Sequence, residues 1–137
     1  MRDYNAWNRE VIEEFRANGG RAGGMLEGMP LLILYNIGAK TGAMRINPLA
    51  YQEVKGGYAI FGSKGGSPTN PAWYHNLLAN PEVEIELGTE TFMVRARFTE
   101  GEERERIWTQ QKIDFPQFAD YEKKTSRQIP VIVLEPI

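Results

Sequence analysis

Apolar positions along the chain follow two different periods. From Tyr4 to Ala17 they recur at helical spacing: Tyr4, Trp7, Val11, Ile12 and Phe15 share one face. Arg9, Glu10, Glu13, Glu14 and Arg16 occupy the other face, and Asp3 stands where a helix cap belongs. Asn18-Gly19-Gly20 closes this amphipathic helix, and the glycine-rich run to Gly24 predicts a flexible connector with Arg21 its only charge. Beyond it the spacing becomes that of strands. Leu31–Tyr35 is a continuous apolar run suited to a strand covered on both faces, and a second strand is expected from about Arg45 to Val54. Lys55-Gly56-Gly57 turns the chain into a third, Tyr58–Gly62. Val83–Leu87 and Thr91–Phe98 alternate between apolar and polar residues, and Pro130–Glu135 reads as the last strand.

Three helices fit between the strands. The first runs from an Asn70 cap through Pro71, at the first helical position, to the Asn80-Pro81 stop. The second, capped by Thr99, spans Glu100 to about Lys112, and the stretch Asp114–Lys124 is partly helical with a break at Pro116. Six mainly antiparallel strands with short helices at their ends make an α+β domain, a small barrel or strongly bent sheet. One domain spans residues 1–137, with the helix and connector in 1–24.

Composition narrows the chemistry more than the fold. The 137 residues carry a formal charge of −2, which argues against a general nucleic-acid binder. Yet between Pro30 and Lys64 the basic residues Lys40, Arg45, Lys55 and Lys64 face Glu53 alone. A positive patch on an acidic protein points to a small anionic ligand. The absence of cysteine excludes disulfides and thiolate chemistry, and a single histidine, His75, excludes a histidine-rich metal centre. No signal peptide and no membrane-length apolar run are visible, so a cytoplasmic protein is expected. Peripheral contact with the inner face of the cell membrane through the N-terminal helix is the minority alternative.

Two glycine turns carry the candidate chemistry. Gly38 to Pro48 places Lys40, Thr41 and Arg45 around Gly42, and Gly62-Ser63-Lys64-Gly65-Gly66 repeats the character. Lys40, Arg45 and Lys64 can hold a phosphate or polycarboxylate, completed by Thr41, Ser63 and backbone amides. Trp73 and Tyr74 follow directly and can support a planar ring, an arrangement suited to a flavin-like cofactor. Rival machinery is missing: Ser63 has no nucleophile elbow, and neither a P-loop nor a dinucleotide-binding glycine motif is present.

The combination G-x-K-T-G-x-x-R-x-N-P followed by G-S-K-G-G-x-x-x-N-P-x-W-Y-x-N-L-x-A-N-P resembles the deazaflavin-dependent nitroreductase family over nearly the whole chain. That resemblance implies a split β-barrel binding coenzyme F(420), a 5-deazaflavin with a phosphate and glutamate tail. It implies that Lys40, Thr41, Arg45 and Lys64 grip the tail, with Gly42 in their turn. Asn47, Pro48, Ile60, Phe61, Gly62 and Ser63 would line the ring, while Gly65, Gly66, Asn70, Pro71, Trp73 and Asn76 shape the loop around it. Phe115, Phe118 and Tyr121 fall where the family builds its acceptor pocket. The N-terminal helix is expected to pack on its own domain, and a lid that brings Phe15 to the acceptor is the minority reading. The implied activity is hydride transfer to an electron-poor acceptor: a quinone, an enone or a nitroaromatic compound. Ser63 or Tyr121 would orient the acceptor or supply a proton, with solvent the preferred source. An FMN-dependent split-barrel oxidoreductase and a non-catalytic carrier of cofactor or lipophile are the rival readings. A dimer is compatible with all three.

Overall fold

The computed structural model of the chain describes residues 4–18 and 29–137. In chain order its elements are α1 (Tyr4–Ala17), β1 (Leu31–Ile37), β2 (Met44–Val54), β3 (Gly57–Phe61) and α2 (Ala72–Ala79). They continue as β4 (Glu82–Leu87), β5 (Glu90–Phe98), α3 (Gly101–Asp114), α4 (Gln117–Lys123) and β6 (Val131–Pro136). A short 3-10 turn, Lys64–Gly66, follows β3. The strands close into an antiparallel barrel in the order β1-β2-β3-β6-β5-β4. The side chains of Tyr4 and Trp7 and the expected connector from Gly19 to Gly24 lie outside the described part.

Alternation along each strand sorts side chains into an interior and an exterior. Leu32 and Leu34 of β1, Ile60 of β3, Ile85 of β4, Val94 of β5 and Ile132 and Leu134 of β6 fill the interior. Trp73 and Leu77 of α2 join that cluster, so α2 plugs one end of the barrel. The opposite faces of β3 and β6 present Ala59, Phe61, Val131 and Val133 to Ile107 and Trp108 of α3 and Phe118 of α4. A third cluster seats Val11, Ile12 and Phe15 of α1 on Leu31 and Ile33. Three buried side chains contribute roughly 5–8 kcal/mol, enough to hold a helix that would not persist alone in water. The continuous burial expected over Leu31–Tyr35 holds from Leu31 to Leu34, while Tyr35 is half-buried.

Unequal strand lengths break the barrel at the α2 end. β2 pairs with β1 from Leu31↔Ala50 to Ile37↔Met44, but with β3 only from Tyr51↔Ile60 to Val54↔Gly57. At Gly62 the backbone N–H turns to the Pro130 carbonyl, 3.0 Å away, so the chain follows β6 and leaves β2. The first half of β2 therefore runs on past the end of β3, and the barrel is split there.

Two expected helix caps are replaced. The helix after the second glycine turn begins at Ala72 with Pro71 in the extended cap position, and Asn70 makes no cap bond. The Asn70 side chain is drawn instead to Arg127. Thr99 does not cap α3 either: its hydroxyl donates to the Val131 carbonyl at 2.7 Å, and Glu100 holds the cap position. In both cases a tertiary partner outcompetes the local one.

Candidate active site

Both glycine turns leave the same end of the barrel, because β1 and β3 run in the same direction on either side of β2. The first turn is closed by Gly38 N–H to the Ala43 carbonyl and Gly42 N–H to the Gly38 carbonyl, each 2.8 Å. Gly42 sits at φ +73°, a conformation that glycine adopts without strain. Thr41 stays within the turn, its Oγ1 accepting from Ala43 N–H at 3.2 Å. Any Cβ on Gly38 would stand 2.7 Å from that oxygen.

A relay of amide side chains ties this turn to the barrel. Asn76 of α2 accepts from Ala39 N–H at 2.8 Å and donates to Asn36 Oδ1 at 2.7 Å. Asn36 in turn donates to Asn47 Oδ1 at 3.0 Å. Asn36 is 1% exposed and Asn76 6%, so each of these bonds replaces a hydration that burial removed. The relay brings together three elements: β1, the start of β2 and the plug helix. Asn76 and Asn47 were expected at the site; Asn36 was missed, although a lone polar residue between Tyr35 and Ile37 was a visible signal.

The second turn rests on a different support. Arg127, between α4 and β6, donates to the carbonyls of Gly62, Ser63 and Ser67 at 3.0, 2.9 and 3.0 Å, and to Asn70 Oδ1 at 2.6 Å. Burial lowers its pKa below the ordinary guanidinium value. On the other side of the turn, Gly66 packs against α4: a Cβ there would stand 2.8 Å from the Tyr121 carbonyl. Ser63 is 8% exposed, and its hydroxyl has no hydrogen-bond partner among the described residues. Lys64 holds φ +47°, the one non-glycine residue at positive φ among those described, and its Nζ reaches only Thr69 Oγ1 at 3.4 Å.

Charge pairing elsewhere on the surface leaves the cations of the two turns uncommitted. Arg16 is paired with Glu86, Arg95 with Glu82, Arg97 with Glu103 and Glu135, Arg104 with Glu105, and Lys112 with Glu122. Lys40, Arg45 and Lys64 have no carboxylate partner among the described residues. Three uncommitted cations on two turns at one mouth suit a multiply charged anionic tail. The donor set thus fits the cofactor that the sequence implied. No group of three metal-ligating side chains occurs among the described residues.

The aromatic candidates divide. Phe61 stacks edge-on against Phe118 at 5.7 Å between centroids, and Phe118 against Tyr121 at 5.2 Å, linking the end of β3 to α4. Phe115 and Tyr121 are half-buried at the edge of that cluster. Ile60 and Trp73 point into the barrel interior instead, so neither offers an open side-chain wall. Pro71 is buried below the second turn, while Pro48 stays half-buried on β2. Phe15 is fully buried against β1 and packs with Leu31 and Ile33, whereas Phe115, Phe118 and Tyr121 pack in the α3–α4 layer. α4 is braced from behind by Trp108, whose indole N–H donates to Glu122 at 2.6 Å. Burial would raise the Glu122 pKa, but that bond and Lys112 together hold it below the ordinary value.

On the outer flank, Arg16 clasps Glu86 with two hydrogen bonds of 3.0 and 2.8 Å, and Tyr35 donates to the same carboxylate at 2.8 Å. The Arg16 hydrogen bonds keep Glu86 below the usual carboxylate range. No helix among the described residues is long and apolar enough to cross a membrane.

Comparison with known proteins agrees with this geometry. The sequence model of the F(420)H(2)-dependent quinone reductase family matches residues 7–136. An F(420)H(2)-dependent quinone reductase of Mycobacterium tuberculosis is 40% identical over 124 residues, covering 88% of this chain and 83% of that protein. A solved F(420)-H(2)-dependent reductase superposes with a TM-score of 0.70 at 42% identity, over 77% of this chain and 94% of the other. A second solved structure, described as a domain-swapped dimer, gives 0.72 at 39% identity over 96% and 98%. With a match along almost its whole length and a split barrel whose mouth carries unpaired cations, the chain belongs to the F(420)H(2)-dependent quinone reductase family and is an F(420)-dependent reductase.

Proposed function

We propose that the chain reduces a quinone with a hydride from coenzyme F(420) seated in the split between β2 and the segment after β3. The observation that carries this reading is the set of three cations, Lys40, Arg45 and Lys64, left without carboxylates where the two turns meet the split. They would bind the anionic tail, with Thr41 and the turn backbones around Gly42 and Gly65 completing the grip. Asn47 and Pro48 on β2 and the backbone of Ile60 to Ser63 would flank the ring.

When bound in its reduced form, the deazaflavin supplies two electrons as a hydride. The protein's part is to orient and to exclude water. Ser63, with an unpartnered hydroxyl beside the turn, would hold the acceptor by a hydrogen bond. Tyr121 and Phe115 would form the acceptor-side wall, with Phe118 and Phe61 packed behind them. Hydride addition to a quinone leaves a hydroquinone anion, and the balancing proton comes from solvent. An assembly of two chains belongs to this reading, supported by the relative described as a domain-swapped dimer.

Titrating the protein with coenzyme F(420) and with FMN, followed by fluorescence, tests the cofactor. Tight FMN binding with none of the deazaflavin would overturn the reading. Stopped-flow mixing of the reduced complex with a menaquinone analogue tests the chemistry. Oxidation no faster than that of free reduced cofactor, across several acceptors, would make the protein a carrier.

A further inference from the structure

Arg127 lies about sixty residues after the second glycine turn and on none of the elements that carry the site. It nevertheless makes four hydrogen bonds to that turn, three of them to backbone carbonyls. A surface arginine held by carboxylates contributes little to backbone geometry; one that gathers carbonyls fixes the direction of each peptide plane. We propose that Arg127 is the positioning residue of the cofactor turn, setting the orientation of residues 62–67 from beneath so that Ser63 and Lys64 present their donors to the anionic cofactor. This rests on the reading that the turn holds coenzyme F(420).

The peptide geometry supports it. All peptide bonds described are trans, so each carbonyl points opposite to the N–H of the following residue. With the Gly62 and Ser63 carbonyls turned to the guanidinium, the N–H groups of Ser63 and Lys64 point away from it. Neither has a hydrogen-bond acceptor among the described residues, and the Gly65 N–H has none either. Ser63 is in the right-handed helical region at φ −71°, and Lys64 and Gly65 follow at φ +47° and +63°. Successive residues of opposite hand direct their N–H groups to a common side, the concavity that binds anions.

Lys64 pays for its positive φ with roughly 1–2 kcal/mol of backbone strain, which persists only where surrounding contacts over-determine it. Arg127 supplies those contacts on both sides of the strained residue. No carboxylate pairs with Arg127 among the described residues, so its charge also reaches the turn uncancelled. Asn70 completes the fourth bond, which accounts for its absence from the helix cap.

Arg127→Met and Arg127→Lys, beside Lys64→Ala, test the inference in the full-length protein. Fluorescence titration is done with coenzyme F(420) and with the corresponding ribityl-deazaflavin lacking the phosphate and glutamate tail. Arg127→Met is expected to weaken the tailed cofactor about tenfold or more and the tailless deazaflavin by a clearly smaller factor, since the backbone up to Ser63 also flanks the ring. Arg127→Lys, which keeps the charge but cannot span several carbonyls, should fall between wild type and Arg127→Met for the tailed cofactor. Methylguanidine added to Arg127→Ala should restore part of the lost affinity, which a general loss of packing would not allow.

Equal losses for both ligands in Arg127→Met, with melting unchanged, would overturn the positioning role, as would unchanged affinity alongside a clear loss in Lys64→Ala. If Lys64→Ala, Arg45→Ala and Lys40→Ala all bind as wild type, the cofactor reading itself fails. Should Arg127→Met not fold, the Arg127→Lys titration and the methylguanidine response decide: wild-type affinity in the first, or no rescue in the second, overturns the inference.

Discussion

The two glycine turns look alike in sequence and are held by opposite means. Gly38–Ala43 is fixed by neutral amides, through Asn76, Asn36 and Asn47, all on elements adjoining the site. Gly62–Asn70 is fixed by a single cation arriving from far along the chain. An amide relay both donates and accepts, so it can lock side chains to one another and bring three elements into register. A guanidinium only donates, so it can gather carbonyls and expose the opposite, N–H side. The first turn is thereby locked in place, and the second is given a face.

The largest expected effect strikes the relay. Asn36→Leu removes the central link and leaves buried donors and acceptors on Asn76 and Asn47 unpaired, costing about 3 kcal/mol of stability. Thermal or urea unfolding measures it. A loss below about 0.5 kcal/mol would mean that the turn does not depend on the relay.

Cation removal comes next. Lys40→Ala, Arg45→Ala and Lys64→Ala should each weaken cofactor binding by roughly 1.5–3 kcal/mol, about ten- to a hundredfold in Kd, with little change in melting. If only one turn's variants respond, the two turns do not share a ligand, and the comparison breaks there.

A smaller effect is expected from Asn70→Ala, which removes one of four bonds to Arg127 and leaves the carbonyls in place. About 1 kcal/mol of cofactor affinity should be lost, read from the same titration. A loss as large as that in Arg127→Met would make the side-chain bond, and not the gathered carbonyls, the decisive contact.

The smallest concerns pH. Glu86 and Glu122 have folded pKa values below their unfolded ones, so on acidification the unfolded state takes up protons first. Their contribution is present above the ordinary carboxylate range and is lost as pH falls through their lowered values. Glu86→Gln should flatten the acid side of the melting profile by about 1 kcal/mol or less, because Arg16 is half exposed. An unchanged profile would show that the α1 flank contributes nothing measurable. Neither turn contains a carboxylate, so the relay and the Arg127 bonds should not titrate in that window.

How much of this was legible follows from the range of each signal. Alternation and turn glycines act over a few residues, so α1, the six strands and both turns could be read from the sequence with shifts of a residue or two. The side that each strand turns inward decided more than its presence: Ile60 and Phe61 are neighbours, yet one fills the barrel and the other the α3–α4 layer. The caps failed because Asn70 and Thr99 found partners that no local pattern announces. Arg127, in a polar stretch between α4 and β6, carried no periodicity, glycine or motif to mark it. Only the fold brings it beneath the turn.

The overhang of β2 beyond β3 has a consequence for turnover. A flat heterocycle normally reaches the inside of a sheet only if strands part, and parting strands breaks their ladder. Here the seam is already open, because Gly62 follows β6 while β2 continues with β1. On the proposed reading, spent and fresh cofactor can exchange edgewise along the stretch of β2 that β3 leaves unpaired. The residence time would then be set by how long the cations hold the tail, and the barrel itself need never breathe.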